Sequence, residues 1–191
     1  LPASKISRGS KTWDTYYGHR HAINMGFGWD RTQNVLWRLN NGELEGITPK
    51  VAVILIGTNN RTGTKNARQN TPAEIAEGVV AICQTIHRKL PDCKILLLGV
   101  LPRSPEHFVN PIQELNALLA PLDQQDHITF LDLRQQFADE NGLPKKELMH
   151  DSVHPNAAGY RRIAQTIEPT LSKLLGDEPV TPTKPGARTD S

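Results

Sequence analysis

The sequence is poor in the features that mark several large classes of protein. Only two of its 191 residues are cysteines, Cys83 and Cys93, too few for a disulfide framework or a cysteine-based zinc site, so we interpret both as ordinary thiols. No apolar run approaches the roughly 20 residues of a membrane-spanning helix. Lysine and arginine (22) nearly balance aspartate and glutamate (20), and this net charge of +2 gives no reason to expect nucleic acid or an anionic membrane as a partner. The apolar content, 37%, suffices for the core of one globular domain.

The two ends of the chain lack the periodicity of a folded element. Residues 1–9 show neither a signal-peptide pattern nor a strand pattern, so the compartment stays open. Residues 176–191 carry prolines among Thr, Asp and Lys without apolar periodicity. We therefore expect one domain over residues 1–175, followed by a flexible Pro/Thr-rich tail over residues 176–191.

Between the ends, strand-like and helix-like segments alternate. The strand candidates are Ala22–Met25, Val51–Ile56, Ile95–Leu98 and Ile128–Leu133. Helices are predicted after Asp30, a candidate N-cap; after the capping box of Thr71 and Glu74; over Ile112–Leu122; and from Pro155 or Asn156 onward. Strands separated by helices predict an α/β fold, a parallel sheet with helices on both faces. The continuously apolar strand Val51–Ile56 is expected to be covered on both faces.

Ligands of such sheets bind at the carboxyl ends of the strands, and one of these ends carries Gly57-Thr58-Asn59-Asn60. Gly57 permits a tight turn, and the Asn59 amide can donate a hydrogen bond to developing negative charge. By itself the segment is more typical of a plain turn after a strand.

A second segment, Asp151-Ser152-Val153-His154-Pro155, directly precedes the last predicted helix. Asp151 can fold back onto the Nδ1–H of His154 and leave Nε2 as a base, an arrangement that implies a nucleophile. The alternative is that Asp151 merely caps the helix and His154 is a surface residue. A metal held by His150, Asp151 and His154 is not expected, because Pro155 disfavours a helix there and no third distant ligand is visible.

Together the two segments resemble the third and fifth sequence blocks of the SGNH/GDSL hydrolases. The stretch from Asn24 through Thr32, with Val35-Leu36-Trp37-Arg38-Leu39 after it, resembles the second block, most closely in the branch of the platelet-activating-factor acetylhydrolase catalytic subunits and their bacterial relatives. The resemblance covers about residues 13–175. It implies a flavodoxin-like three-layer α/β/α fold and an esterase that needs no cofactor.

The resemblance also assigns roles to residues of the site. Asp151 and His154 become the acid and base of a Ser-His-Asp triad, and Asn59 becomes a side-chain donor of the oxyanion hole. The glycine whose backbone N–H is the other donor in the family falls on Trp29, so this N–H donates only if the backbone angles of Trp29 permit it. The indole would then lie at the pocket or pack its wall.

The family's Gly-Asp-Ser motif, which carries the nucleophile at the end of the first strand, is absent from this sequence. None of the early serines, Ser4, Ser7 and Ser10, matches it, and neither does Ser191. The resemblance therefore assigns the first strand and the nucleophile to a position upstream of Leu1, where they are either missing from this chain or lost from the protein. Without that strand, an adjacent strand edge should be unpaired and apolar side chains exposed.

Other charged residues are interpreted as solvent-exposed loops. One is the cluster of His19, Arg20 and His21, which follows the position of the absent nucleophile block closely enough to border the pocket. The other is Arg103, which comes after a predicted strand. The polar stretch from Arg61 to Asn70 could shape a specificity rim.

Three functions remain open on these residues. The first is a serine esterase whose substrate is a small-molecule ester, with a small, acetyl-like acyl group on a carbohydrate or lipid. This chain alone would be inactive, because it lacks the nucleophile. Whether the protein forms a homodimer is left open. The second is a non-catalytic relative that keeps the pocket for binding. The third, a dinucleotide-binding domain, is disfavoured because Gly26-Phe27-Gly28 lacks the third glycine of the usual fingerprint.

Overall fold

The computed structural model describes residues 9–181, and residues 1–8 and 182–191, with Ser4, Ser7, Ser191 and most of the predicted tail, lie outside the described part. Its sheet contains three parallel strands in the order β1 (Val51–Ile54), β2 (Lys94–Leu98) and β3 (Ile128–Leu131). In this register Ala52 lies opposite Ile95, and Ile95 lies opposite Ile128. Crossover helices connect the strands, as parallel pairing requires.

Six α-helices surround the sheet in the described part of the chain: α1 (Ser10–Tyr16), α2 (Thr32–Asn40), α3 (Pro72–Lys89), α4 (Val109–Leu119), α5 (Arg134–Phe137) and α6 (Ala157–Leu175). Short 3₁₀ helices cover Gly18–Arg20, Thr58–Arg61, Glu106–Phe108 and Ala120–Gln124. Between residues 9 and 181, no helix is both long enough and apolar enough to cross a membrane.

The central strand β2 divides the core into two layers. Ile95 and Leu97 belong to one buried cluster, formed with α2, α3 and α4. Leu96 and Leu98 belong to a second cluster, formed with α5, α6 and the loop that precedes α6. Because successive side chains of a strand point to opposite faces, this alternation buries both faces of the sheet. The α/β fold with a parallel sheet between helical layers is confirmed.

Strand β1 departs from its prediction of burial on both faces. It is an edge strand that pairs with β2, and no strand within residues 9–181 pairs with its other edge. Val53 is 46% exposed, and Leu55, just beyond the strand, is 42% exposed. The apolar run correctly predicted a strand here, but it did not predict that one edge of β1 has no neighbouring strand in the described part of the chain. Val53 and Leu55 therefore flank an edge of the sheet that has no described neighbour.

The predicted strand Ala22–Met25 is wrong. This segment carries no secondary structure and pairs with no described strand. Ile23 is 66% exposed, so the short apolar run does not contribute to either core cluster. A strand needs a neighbouring strand as hydrogen-bonding partner, and these four residues have none in the described part of the chain.

Two helix starts follow the predicted chemistry. At α3 the Thr71 hydroxyl accepts a hydrogen bond from the Glu74 N–H at 3.2 Å, and the Glu74 carboxylate accepts one from the Thr71 N–H at 3.0 Å. At α6 the cap is Asn156, whose side chain accepts from the Gly159 N–H at 3.0 Å. Each of these bonds satisfies a backbone donor that the helix leaves unpaired.

Both cysteines are buried free thiols, in agreement with the sequence interpretation. Burial raises the pKa of Cys83 to about 12 and also raises the pKa of Cys93. Since the thiolate is the reactive form, neither residue is suited to nucleophilic chemistry.

Replacing Thr71 by Ala is expected to lower the free energy of unfolding by about 1 kcal/mol, because the Glu74 N–H loses its side-chain acceptor. Urea denaturation measures the change. The matched control is Thr166→Ala, whose hydroxyl bonds only to the Arg162 carbonyl within α6 and which should change stability little. Equal losses in the two variants would contradict the capping role.

Candidate active site

The oxyanion half of the site begins with a turn that only glycine fits. Gly57 has a φ of +123°, and a Cβ placed on it would lie 2.9 Å from the Cγ2 of Ile75 on α3. A larger residue would be strained in its backbone and would clash with the core. The chain turns here into the short helix Thr58–Arg61, which carries Asn59.

The Asn59 side chain lies against the segment that contains Trp29. Its Nδ2 donates a hydrogen bond of 3.0 Å to the Asp30 carbonyl. The amide nitrogen carries two hydrogens, so the second N–H of Nδ2 can donate to another acceptor. The two predicted oxyanion donors, the Asn59 amide and the Trp29 backbone N–H, therefore belong to directly bonded segments.

Trp29 adopts a backbone conformation that favours glycine. Its φ is +67°, which for a residue with a Cβ costs about 1 to 2 kcal/mol. The backbone thus keeps a left-handed geometry although the residue is not glycine. The indole is 74% exposed and is not among the side chains that line the cavity described below.

Asp30 does not cap α2 as the sequence predicted. Its carboxylate forms a two-pronged ion pair with Arg38 on α2, at 3.0 and 2.5 Å, and the residue in the N-cap position is Arg31. Arg38 also pairs with Glu43 at 2.7 Å. These ion pairs fix the segment that carries Trp29 to the helix after it.

Asn60 is a positioning residue that sequence reasoning passed over. It is completely buried, its Oδ1 accepts from the Thr32 N–H at 3.0 Å, and its Nδ2 contacts acceptors on Thr32, Gln33 and Asn70 at 3.0 to 3.1 Å. The only sequence signal was a second asparagine beside Asn59. A buried amide is costly unless all its groups are paired, and here the pairing fixes the Asn59 turn to α2.

The acid–base half is a loop closed at its base. The His150 N–H donates to the His154 carbonyl at 2.7 Å, and the Asn156 N–H donates to the Leu148 carbonyl at 3.0 Å. Within the loop, the Asp151 carboxylate lies 2.9 Å from the Nδ1 of His154. This predicted pair therefore forms, with Nε2 directed away from the carboxylate, as a general base requires.

Asp151 is held ionised by its own loop. Partial burial raises its pKa, but hydrogen bonds from the His154 and Val153 N–H groups, both 2.8 Å, and from the imidazole outweigh this and lower the pKa to about 2. A permanently charged carboxylate orients the imidazole and stabilises its protonated form.

The loop after β2 connects the two halves. Arg103 donates to the Thr58 carbonyl at 2.9 Å, and the Ser104 N–H donates to the Ser152 carbonyl at 3.1 Å. A cavity of about 130 Å³ lies between the halves. It is lined by residues of both loops and of the strand ends: Leu55, Ile56, Thr58, Val100, Leu101, Val153, Pro155, Tyr160 and Ile163. Thr58, beside Asn59, and Val153 and Pro155, on either side of His154, thus line one cavity, whereas the side chains of Asn59, Asp151 and His154 are not among its lining residues.

Arg103 and Arg20 are not solvated loop charges, contrary to the sequence interpretation. Arg103 stacks on the Phe108 ring at 4.0 Å in addition to bonding Thr58. Arg20 is buried in ion pairs with Glu168 at 2.7 Å and Asp177 at 2.8 Å. Arg20 therefore fastens the segment after α1 to α6, whereas His19 and His21 are exposed, and none of the three lines the cavity.

Neither a nucleophile nor a metal cluster is evident in the described part of the chain. The only side-chain partner of the His154 imidazole among residues 9–181 is Asp151, and Ser10 is simply the first residue of α1. No group of three His, Cys, Asp or Glu side chains in the same range is arranged to hold a metal ion. The candidate site consists of the Asp151–His154 pair and of Asn59 bonded to the segment that carries Trp29.

The strain at Trp29 can be measured by comparing Trp29→Gly with Trp29→Ala. Both variants lose the exposed indole, but only glycine adopts a φ of +67° without strain. We expect Trp29→Gly to be the more stable variant by about 0.5 to 1 kcal/mol in urea denaturation, after allowing for the greater freedom of glycine in the unfolded chain. An alanine variant of equal or greater stability would contradict this assignment.

Asp151 should remain ionised in the folded protein down to about pH 2, below its ordinary pKa of 3.8. Because folding lowers this pKa, its contribution to stability is present above about pH 4 and is lost as the pH falls toward 2. The stability difference between the natural protein and Asp151→Asn should therefore shrink in acid. Carboxyl NMR titration measures the pKa directly, and His154→Ala should raise it. Titration of Asp151 at its ordinary pKa in the natural protein would refute the assignment.

Comparison with known proteins agrees with the resemblance drawn from the sequence. The model of the GDSL-like Lipase/Acylhydrolase family matches residues 6–162. Platelet-activating factor acetylhydrolase IB subunit alpha2 of Rattus norvegicus is 37% identical over 172 residues, covering 87% of this chain and 71% of that protein. Subunit alpha1 of the same organism is 33% identical over 171 residues, covering 87% and 70%. The fold is similar to that of a GDSL-like lipase from Bacteroides thetaiotaomicron, with a TM-score of 0.72, 22% identity, and coverage of 85% and 81%. The chain therefore belongs to the GDSL-like lipase/acylhydrolase family.

Proposed function

We propose that this protein is a serine esterase that hydrolyses small, acetyl-like acyl esters of a carbohydrate or lipid. The observation that carries the proposal is the shared cavity, which is lined by Thr58 of the Asn59 turn and by Val153 and Pro155 of the Asp151–His154 loop. Asn59 and His154 are therefore chain neighbours of residues that line one cavity, and acyl transfer needs a base and oxyanion donors around one carbonyl carbon.

The reaction follows from these groups. A serine hydroxyl attacks the ester carbonyl while Nε2 of His154 takes its proton, and Asp151 stabilises the resulting imidazolium. The Asn59 amide and the Trp29 N–H donate to the oxyanion. His154 returns the proton to the departing alcohol, leaving an acyl-serine. Water, activated by the same imidazole, then releases the carboxylic acid and restores the hydroxyl.

The open edge of β1 supports a position for the serine. A further strand, parallel to β1 and paired with that edge, would end at the same edge of the sheet as Gly57. Its side chains would cover Val53 and Leu55, which are exposed in the described part of the chain. We infer that a segment preceding Leu1 supplies this strand and carries the serine at its carboxyl end.

The names of similar proteins support a short acyl group. The relatives at 33% and 37% identity carry the name acetylhydrolase, which favours acetyl as the acyl group.

The test compares p-nitrophenyl acetate hydrolysis by residues 1–191 with hydrolysis by a version extended upstream through its natural sequence. We expect turnover in the extended version alone. In that version, His154→Ala should lower kcat/KM by about 10³-fold or more, and Asn59→Ala by about 10²-fold.

The matched control is His150→Ala, in the same loop. His150 is exposed, and its hydrogen bond to the His154 carbonyl comes from the backbone N–H, which alanine keeps. The His150→Ala variant should therefore be as active as the unchanged extended version. Equal rates for the extended version and its His154→Ala variant would refute the esterase. That result would favour the alternative, a relative that binds ligands in the cavity without hydrolysing them.

A further inference from the structure

Asn116, on the inner face of α4, is a buried amide that bonds to the ends of two neighbouring strands. The residue is 2% exposed. Its Oδ1 accepts a hydrogen bond from the Val100 N–H at 2.8 Å, and its Nδ2 donates to the Val100 carbonyl and to the Asp132 carboxylate, both at 3.1 Å. Val100 comes shortly after β2, and Asp132 directly follows β3. Asn116 therefore joins the carboxyl ends of these strands, which is the edge of a parallel sheet where ligands bind.

The amide supplies the bonds that a strand would otherwise give to Val100. The paired residues of β2 and β3 end at Leu98 and Leu131, and the chain after Asp132 enters α5. Val100 is itself buried, so its N–H and its carbonyl both need a partner. An asparagine presents an acceptor and a donor side by side and serves both groups. A carboxylate could not donate, and an apolar side chain could do neither.

Gly99 allows the amide to approach β2 this closely. A Cβ placed on Gly99 would lie 2.8 Å from the Nδ2 of Asn116 and 3.0 Å from the Oδ1 of Asp132. A larger residue would push the amide or the carboxylate away from its partners, because a packed interior has no space to receive it. The contact thus depends on the residue types on both sides.

Val100 connects Asn116 with the turn that carries Asn59. Val100 is one of the residues that line the cavity. A Cβ placed on Gly57 would lie 3.4 Å from the Cγ2 of Val100, so the Val100 side chain lies against the start of that turn. Where Asn116 holds the backbone of Val100 therefore decides where this side chain meets the turn.

The segment that continues from Val100 contacts both halves of the site. Arg103 donates to the Thr58 carbonyl at 2.9 Å, and the Ser104 N–H donates to the Ser152 carbonyl at 3.1 Å. These two bonds attach the segment to the Asn59 turn and to the His154 loop. The bonds of Asn116 attach the start of the same short segment to α4 and to the sheet, and a short segment cannot move far from its anchored end.

We propose that Asn116 is a positioning residue, which sets the spacing between the Asn59 turn and the His154 loop by holding Val100. Asn116 is not among the residues that line the cavity, so it acts through Val100 and not by touching a substrate. A displacement of about 1 Å in a catalytic group can lower a rate by about 10²-fold. The inference rests on the proposed esterase function and adds a residue to its site.

The test variant is Asn116→Leu, which is similar in size to the natural residue but makes none of its hydrogen bonds. In the extended version, kcat for p-nitrophenyl acetate should fall about tenfold or more per folded molecule, while KM should change less than about twofold.

The matched control is Leu119→Ala, on the same helix. Leu119 is 1% exposed, so its loss lowers stability but leaves the bonds of Asn116 in place, and kcat per folded molecule should be unchanged. A loss of kcat in Asn116→Leu no larger than that in Leu119→Ala would overturn the proposal.

A double-mutant cycle distinguishes positioning from a merely structural role. If Asn116 acts through the segment that carries Arg103, then Arg103→Met should cost less kcat in the Asn116→Leu background than by itself. Losses that simply multiply would overturn the proposal. Circular dichroism confirms that each variant folds. If Asn116→Leu does not fold, Asn116→Ala replaces it in both tests, because alanine leaves room for a water on the freed polar groups. Its loss of kcat should be smaller and should still exceed that of Leu119→Ala.

Hydrogen exchange separates this inference from the esterase proposal. Exchange of the Ser104 N–H is measured in the extended version relative to the Ile95 N–H, which bonds to the His127 carbonyl near the other end of β2. This ratio should be about tenfold higher in Asn116→Leu than in Leu119→Ala. A ratio no higher than in the control would overturn the role of Asn116, whatever the activity. A higher ratio in a protein that hydrolyses no ester would refute the esterase and leave Asn116 as the residue that holds the two loops in place.

Discussion

The candidate site depends on one buried amide. Asn60 pairs with the start of α2 through Thr32 and with the end of the following loop through Asn70, while its own backbone belongs to the turn that carries Asn59. These are segments distant in sequence, and no apolar contact could fix their relative positions as closely as a fully paired amide does. The adjacent Asn59 then contacts the Asp30 carbonyl. One asparagine therefore positions the segments from which both oxyanion donors come.

The other half of the site is organised by local interactions. Asp151 accepts hydrogen bonds from the two N–H groups of its own loop and from the imidazole of His154. Such a loop keeps its internal geometry wherever it is attached, so its position relative to Asn59 has to come from elsewhere. The segment after β2 provides it, because Arg103 contacts one half and Ser104 the other. Local hydrogen bonds therefore fix the internal geometry of the His154 loop, and the segment after β2 fixes its position relative to the Asn59 turn.

The sequence predicted what local pattern determines. The three strands of the sheet, the capping box of α3 and the Asp151–His154 pair all follow from spacing within a few residues, and the structure has each of them. What it did not predict depends on distant partners. Ala22–Met25 has no described strand to pair with, Asp30 bonds to Arg38 in preference to capping a helix, and Arg20 meets Glu168 from the far end of the chain. The catalytic roles of Asp151, His154, Asn59 and Trp29 remain proposals.

The ion pairs of Arg20 join parts of the chain that are 157 residues apart in sequence. Glu168 is buried in α6, and its carboxylate also accepts a hydrogen bond from the Val180 N–H at 2.7 Å. If the segment after α1 detaches, the buried Glu168 carboxylate loses its partner, and if the segment after α6 detaches, the buried Arg20 guanidinium loses Asp177. The two segments should consequently fray together as one cooperative unit, with their backbone amides exchanging hydrogen at similar rates.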